Sequence, residues 1–386
     1  MRVLYVNHTA AVSGAERSLL TLLAALPADV EATLACPEGD LAGAAGAVGV
    51  AHVPIAATAG SLRLHPLHTP VALAAMTRAS HQVGGAARAA RAQIVHANSV
   101  RAGLEVALAP TAGAPRVTSV RDCLPPVAAT RATMRLIARR SLVVANSAYT
   151  AATVTAAAPT AQVTVVHPAI DAAAFDPARM DRGALRERLG APAGRALLGV
   201  VAQLTPWKGQ DTAIAALGAL VREGVDAELL LVGSAKFTAG ATRFDNRAYV
   251  ERLHAQVARE SLGERVRFLG ERDDAADVIR ALDVLLLPSH EEPFGRALLE
   301  AMALEVPVLA TGVGGSRELV RDGEDGYLVA PGDAAEWARA AARVIADPEQ
   351  ARRMGAAGRR RILTSFDVAQ HVAATLAIYE RLLARR

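Results

Sequence analysis

Two glutamates and a lysine are spaced for chemistry on a phosphorylated, hydroxyl-rich ligand. The apolar run Val284–Leu287 feeds Pro288-Ser289-His290-Glu291-Glu292-Pro293-Phe294-Gly295-Arg296-Ala297, and helical sequence continues through Leu298-Leu299-Glu300-Ala301-Met302-Ala303. A helix that begins near Phe294 and Gly295 aims its unpaired N–H groups past the end of the strand and makes a ready phosphate site. Glu292 precedes that turn, and Glu300 lies about 12 Å further along the axis. Carboxylates that far apart cannot comfortably share a proton or a metal ion. They can hold hydroxyls at the two ends of a long ligand whose diphosphate sits between them. The plainer account has Glu292 stabilising the helix start and Glu300 solvated, and this segment alone does not decide. Lys208 follows another apolar run, Leu197–Ala202, beside flexible Gly209, which suits a cation reaching for phosphate. A solvated lysine is the commoner fate. Gly14 follows the run Val3–Val6 and opens a Leu-rich helix, so amides there can approach a phosphate, with Ser13 as helix cap.

These groups need elements to hold them. Short β-branched or Leu-rich runs alternate with longer helical segments. Strands are expected at Val3–Val6, Thr33–Ala35, Ile94–His96, Val117–Val120, Leu142–Ala145 and Val163–Val166. The second half repeats the scheme at Leu197–Ala202, Glu228–Val232, Val266–Leu269, Val284–Leu287, Val308–Ala310 and Tyr327–Val329. Runs apolar on both faces and separated by helices indicate parallel sheets covered on both sides. The expected architecture is α/β, with two doubly wound, Rossmann-like parallel-sheet domains facing a central cleft. Pro168 and Pro177 with Asp171 and Asp176 break the periodicity, which puts the domains at 1–168 and 169–366. A terminal helix over 367–384 can cap either domain, including by packing back on the first.

Composition narrows the function. Forty-two Lys and Arg against 38 Asp and Glu leave a net charge of +4, short of a nucleic-acid footprint. Aromatic residues are only 3%, too few for stacking along single strands. The charge suits anionic small molecules or loose contact with acidic membranes. Cys36 and Cys123 make neither a disulfide framework nor a zinc site. Met1-Arg2 leads directly into the first strand, and no apolar run reaches the roughly 18 to 20 residues of a membrane span. A cytoplasmic protein is expected. His65 and His68 lie among Pro66 and Pro70 without metal-site spacing, and Phe237–Arg247 reads as a solvated loop rather than a basic flap.

The Glu292–Glu300 segment resembles the E-x7-E signature of the GT4 family of retaining glycosyltransferases, which have the GT-B fold. The likeness continues through Pro307–Val320 and Asp322–Val329, and upstream through Pro206-Trp207-Lys208-Gly209, Leu231-Val232-Gly233 and Val266–Gly270. Weaker echoes are Ser13-Gly14-Ala15-Glu16, Ala145-Asn146-Ser147 and Val165-Val166-His167-Pro168. The resemblance implies a first domain that binds the acceptor and a second that binds a UDP- or GDP-linked sugar, with no further cofactor and no metal. It implies that Glu292 stands near the anomeric carbon, that Phe294 and Gly295 amides hold sugar hydroxyls, and that Glu300 accepts from the ribose. Lys208 would meet the diphosphate, with Gly14, Gly233 and the helix start through Ala297 completing the donor site. Two positions depart from the family. Gln203 stands where an arginine is common, so Arg296 is offered as its replacement. Arg121, in Val117-Thr118-Ser119-Val120-Arg121-Asp122, stands where a histidine is common. Arginine is no base near neutral pH, so Arg121 would stabilise leaving-group charge or an anionic acceptor. Arg121, Asp122 and His96 form the expected acceptor side, although a lone histidine ending a buried strand is more often structural.

The implied reaction is retaining transfer to a hydroxyl- or amine-bearing small molecule or glycan, in secondary-metabolite or cell-envelope glycoside synthesis. The departing phosphate takes the acceptor proton, so stabilising diphosphate charge is the main task. Rivals are a GT-B epimerase or phosphorylase and a scaffold-only transferase. A nicotinamide oxidoreductase is disfavoured because Val6–Ala15 lacks G-x-G-x-x-G.

Overall fold

A computed structural model describes residues 1–58, 68–236 and 244–385. His65, Pro66 and the Phe237–Arg243 part of the basic loop lie outside the described residues. The chain divides into two units, Met1–Ala169 with Val368–Arg386 and Ile170–Asp367.

The N-terminal unit contains strands β1 (Arg2–Val6), β2 (Glu31–Cys36), β3 (Ala51–Pro54), β4 (Ile94–Ala97), β5 (Arg116–Val120), β6 (Leu142–Ala145) and β7 (Val163–Val165). They form one parallel sheet in the order β3-β2-β1-β4-β5-β6-β7. The second unit contains β8 (Ala196–Val201), β9 (Ala227–Val232), β10 (Val266–Gly270), β11 (Val284–Leu287), β12 (Val308–Thr311) and β13 (Tyr327–Val329). Its parallel order is β10-β9-β8-β11-β12-β13. Each sheet therefore reverses its winding beside its own first strand, between β1 and β4 and between β8 and β11.

Strand alternation explains why both faces of each sheet are covered. In β9, Leu229 and Leu231 join one buried cluster while Leu230 and Val232 join another. In β1, Val3 and Tyr5 face one core and Leu4 and Val6 the other. Successive side chains point to opposite faces, so a run apolar at every position must be sandwiched by helices. Each such leucine contributes roughly 1.5–3 kcal/mol through burial. Strand β3 was not expected from the sequence. It is a four-residue edge strand ending in Pro54, with both ends exposed, and so lacks the continuous apolar run that marks the others.

The helix Val368–Leu383 belongs to the N-terminal unit, where Val372, Ile378 and Tyr379 enter the core with Leu19, Leu22 and Leu23. The outgoing and returning segments meet as a parallel bridge between Ile170 and Asp367. No helix among the described residues is long and apolar enough to cross a membrane.

Candidate active site

In the second unit the loops after β8 and β11 flank the point where the winding reverses, the place where open parallel sheets bind ligands. The β8 loop makes a single 3-10 turn, Pro206–Lys208, closed by Gly209 at φ +68°. A Cβ at Gly209 would lie 2.0 Å from the Pro288 carbonyl oxygen, so only glycine lets the two loops press together. The His290 N–H donates to the Trp207 carbonyl at 2.8 Å and locks that contact.

Closure of the loops brings Lys208 onto Glu292. Lys208 Nζ donates to Glu292 Oε2 at 2.7 Å, and the Ser289 hydroxyl donates to the same oxygen at 2.9 Å. The Phe294 N–H donates to the other oxygen at 3.4 Å. Nζ also lies 4.0 Å from the Trp207 ring centroid, a cation–π contact. Glu292 is only 3% exposed. A carboxylate so far from water needs a charge partner and hydrogen bonds, and it has both. The sequence reading treated Lys208 and Glu292 as separate grips on a ligand; the structure joins them. An ammonium group has three donors, so its bond to Glu292 leaves it able to meet an anion.

The helix runs Arg296–Ala303, one or two residues later than expected, because Gly295 at φ +105° caps it and Phe294 is drawn into the core. Phe294 packs against Phe366 with centroids 5.8 Å apart. Arg296 Nε donates to Glu300 Oε1 at 2.9 Å, one turn along the same helix. Arg296, offered as the replacement for the arginine absent at Gln203, thus meets Glu300 here. Ala297 lies in the first turn. Gln203 holds the β8 loop through its backbone, whose carbonyl accepts from Gln210 Nε2 at 2.9 Å. Gly233 packs against the Ala202 carbonyl. Ser289, Trp207 and Gly315, whose N–H donates to the Glu292 carbonyl at 2.9 Å, complete the surroundings of Glu292 and were missed by the sequence reading. A serine three residues before the glutamate was the available signal.

The expected groups of the N-terminal unit are arranged differently. Gly14 opens the helix Gly14–Ala24, and a Cβ there would meet nothing within 4 Å, so packing within this unit leaves the position open. Ser13 caps that helix, its N–H donating to buried Glu16 at 3.1 Å, and Asn7 Nδ2 donates to Glu16 at 3.3 Å. Across the reversal point Asn98 Nδ2 donates to Asn7 Oδ1 at 3.1 Å, and His8 Nδ1 lies 3.0 Å from Ser99 Oγ. Burial, then Arg101, brings the His8 pKa down to about 4.

Arg121 and exposed Asp122 follow β5. Arg121 shares a cavity of about 10 Å³ with His96, Ser119, Asn146, His371 and Tyr379, roughly room for one water. His96 Nε2 is 2.8 Å from Ser119 Oγ and Nδ1 is 2.5 Å from Tyr379 Oη. Both ring nitrogens are engaged inside the unit and the residue is 5% exposed. Burial, then the Arg121 charge, lowers its pKa to about 3 and keeps it neutral. His96 is therefore an internal strut, which corrects its expected acceptor contact. Tyr379, a sequence neighbour of none of these, gave no local signal.

Comparison with known proteins places these features in a family. The model described as "Glycosyltransferase Family 4" matches residues 12–174, and "Glycosyl transferases group 1" matches residues 181–361. The chain is 36% identical over 218 residues to 2-deoxystreptamine glucosyltransferase of Streptomyces kanamyceticus, covering 56% of this chain and 53% of that protein. It thus spans about half the length of the curated Streptomyces relatives it matches. It is 32% identical over 250 residues to the lipopolysaccharide core mannosyltransferase LpsB of Rhizobium meliloti, covering 64% of this chain and 68% of that one. The crystal structure of Anabaena HepE in complex with UDP superposes with a TM-score of 0.82 at 26% identity, over 99% of this chain and all of that one. Both units are matched in order, the carboxylate pair lies where the signature requires it, and the chain belongs to glycosyltransferase family 4, with the GT-B fold.

Proposed function

We propose that the protein transfers a sugar from a nucleoside-diphosphate sugar to a hydroxyl- or amine-bearing small molecule or glycan, with retention of anomeric configuration and without a metal ion. The observation that carries this reading is the Lys208–Glu292 pair, seated where the second sheet reverses and beside the start of the helix Arg296–Ala303. In this reading the second unit binds the donor and the N-terminal unit the acceptor. Lys208 and the amides from Gly295 to Ala297 meet the diphosphate, where leaving-group charge develops. Glu292 holds sugar hydroxyls near the anomeric carbon, and Glu300 accepts from the ribose. Gly14 lends amides from the N-terminal unit, and Arg121 with Asp122 meets the acceptor.

In the reaction the bond between the anomeric carbon and the phosphate oxygen breaks, and its electron pair stays on the diphosphate. The acceptor oxygen or nitrogen bonds to the same face of that carbon, and its proton passes to the departing phosphate. UDP-glucose is the first donor to test, because HepE has also been solved in complex with it, at 27% identity and a TM-score of 0.81. The deoxystreptamine and lipopolysaccharide-core relatives favour a cyclitol or an envelope glycan as acceptor.

The test incubates the purified protein with UDP-glucose or GDP-mannose and a panel of such acceptors, then reads product stereochemistry by NMR. An α-linked product formed equally with and without EDTA is expected. An inverted product, or one that needs added metal, overturns the mechanism. An epimer or sugar phosphate formed from donor without acceptor would mean epimerisation or phosphorolysis instead.

A further inference from the structure

The two oxygens of the Glu292 carboxylate are held unequally. Oε2 accepts from Lys208 Nζ at 2.7 Å and from the Ser289 hydroxyl at 2.9 Å. Among the described residues Oε1 meets only the Phe294 N–H, at 3.4 Å. That separation is longer than the roughly 2.7–3.2 Å of an ordinary N–H···O bond. Each carboxylate oxygen can accept about two hydrogen bonds, so Oε2 is saturated while Oε1 keeps most of its capacity.

Ser289 makes the difference. It lies on the loop between β11 and the helix Arg296–Ala303, just ahead of the glutamate, and is 0% exposed. That loop is pinned from the neighbouring strand. The Thr311 hydroxyl donates to the Leu287 carbonyl at 3.2 Å, and the Gly315 N–H to the Glu292 carbonyl at 2.9 Å. A Cβ at Gly315 would lie 2.3 Å from the Pro293 carbonyl oxygen, so the approach is open to glycine alone. The last torsion of a glutamate is soft, and a lysine on its long flexible stem can follow either oxygen as the carboxylate turns. A short hydroxyl on a pinned loop cannot follow. With no exposed surface, Ser289 also cannot touch a ligand, so whatever it does it does through Glu292.

We infer that Ser289 is a positioning residue that divides the labour of the Glu292 carboxylate: with Lys208 it holds Oε2, and it thereby presents Oε1 to one hydroxyl of the donor sugar. This rests on the reading of the second unit as the donor site and deepens it, naming the oxygen that grips the sugar and the side chain that selects it. A sugar hydroxyl donating to Oε1 makes a charge-assisted bond, shorter and stronger than one between neutral groups. The plainer account is that Ser289 only satisfies a buried carboxylate. The two accounts differ in what the hydroxyl protects. A hydroxyl that merely supports the loop serves nucleotide and nucleotide-sugar alike, whereas a positioning one matters only when the sugar is attached.

Calorimetry on the full chain tests this with UDP, UDP-glucose and analogues of UDP-glucose that each lack one sugar hydroxyl. GDP and the GDP-mannose series take their place if GDP is the nucleotide bound. In the wild-type protein one analogue is expected to bind about tenfold more weakly than UDP-glucose, which marks the hydroxyl on Oε1. Ser289→Ala should weaken UDP-glucose about tenfold, leave UDP within about twofold, and erase the difference between UDP-glucose and that analogue. Ser289→Cys, similar in size and a weaker donor, should fall between the two. Equal weakening of UDP and UDP-glucose in Ser289→Ala, or an alanine variant that binds every ligand like wild type, overturns the proposal. So does a wild-type series in which no single hydroxyl matters, and that result leaves the donor reading standing if UDP binds. A wild-type protein that binds neither UDP nor GDP overturns the donor reading, and this inference with it. If Ser289→Ala melts, the wild-type series and Ser289→Cys still decide.

Discussion

The two sheets reverse their winding in the same way, yet they hold opposite chemistry at the reversal. In the second unit a lysine and a glutamate meet between β8 and β11, each supplying the charge and hydrogen-bond partner the other needs. In the N-terminal unit the groups between β1 and β4 are amides, a capped glutamate and His8, held by one another. One strand further on, Arg121 stands among His96 and His371, whose pKa values burial lowers to about 3 and about 4. The same topology therefore serves a lysine–glutamate ion pair in one unit and a network of amides and histidines in the other.

The sharpest way to break this contrast is Lys208→Ala. It should lower turnover about a thousandfold, because one donor to leaving-group charge is worth 10²–10³ and Glu292 is left buried without its partner. The orphaned carboxylate should also cost about 3–5 kcal/mol of stability, read by urea unfolding. Glu292→Gln keeps the shape and removes the charge, so turnover should fall about a hundredfold while UDP binding by calorimetry changes only a few-fold. Near-normal rates in either variant would mean the pair is structural.

Acid should separate the two units. His8, His96 and His371 sit below the ordinary 6.5 in the folded state. The unfolded chain therefore binds protons that the folded one cannot, and stability falls as pH drops from about 6.5 toward 4, levelling off only below the folded values. Glu105, pushed up to about 7 mainly by burial, opposes this between its usual value of 4.5 and 7, and Asp122, raised mainly by desolvation, opposes it too, two groups against three. Hydrogen exchange at pH 7.5 and pH 5, resolved to each unit, should show the N-terminal unit loosening first. Equal loosening of both would refute the assignment. Tyr379→Phe removes a hydroxyl shared with His96 and Tyr5 and should cost about 1–2 kcal/mol with turnover largely kept. The smallest effect is expected from Gln203→Arg, where an added cation should tighten UDP binding by less than about tenfold.

The strands of both sheets were legible because each apolar run had to be covered on two faces, and Ala51–Pro54 escaped because an edge strand carries no such demand. Glu292, Glu300 and Lys208 stood out through local spacing and family likeness. Their pairing did not, since Lys208–Glu292 contact depends on Gly209 letting two distant loops touch, which no window of sequence displays. The Arg296–Glu300 contact, one turn along a single helix, was likewise not anticipated. His96 could be read correctly only with Tyr379, which arrives from the far end of the chain.

That late arrival bears on biosynthesis. The first sheet leaves the ribosome before the helix that seats Tyr379 beside Tyr5 and His96, which is translated only after the whole of Ile170–Asp367. Domains commonly fold in the order in which they emerge. Here the leading domain must wait, with Leu19, Leu22 and Leu23 lacking their final cover, until the trailing one has been made. A stop codon a few residues before Tyr379 would therefore damage the beginning of the protein and spare its middle.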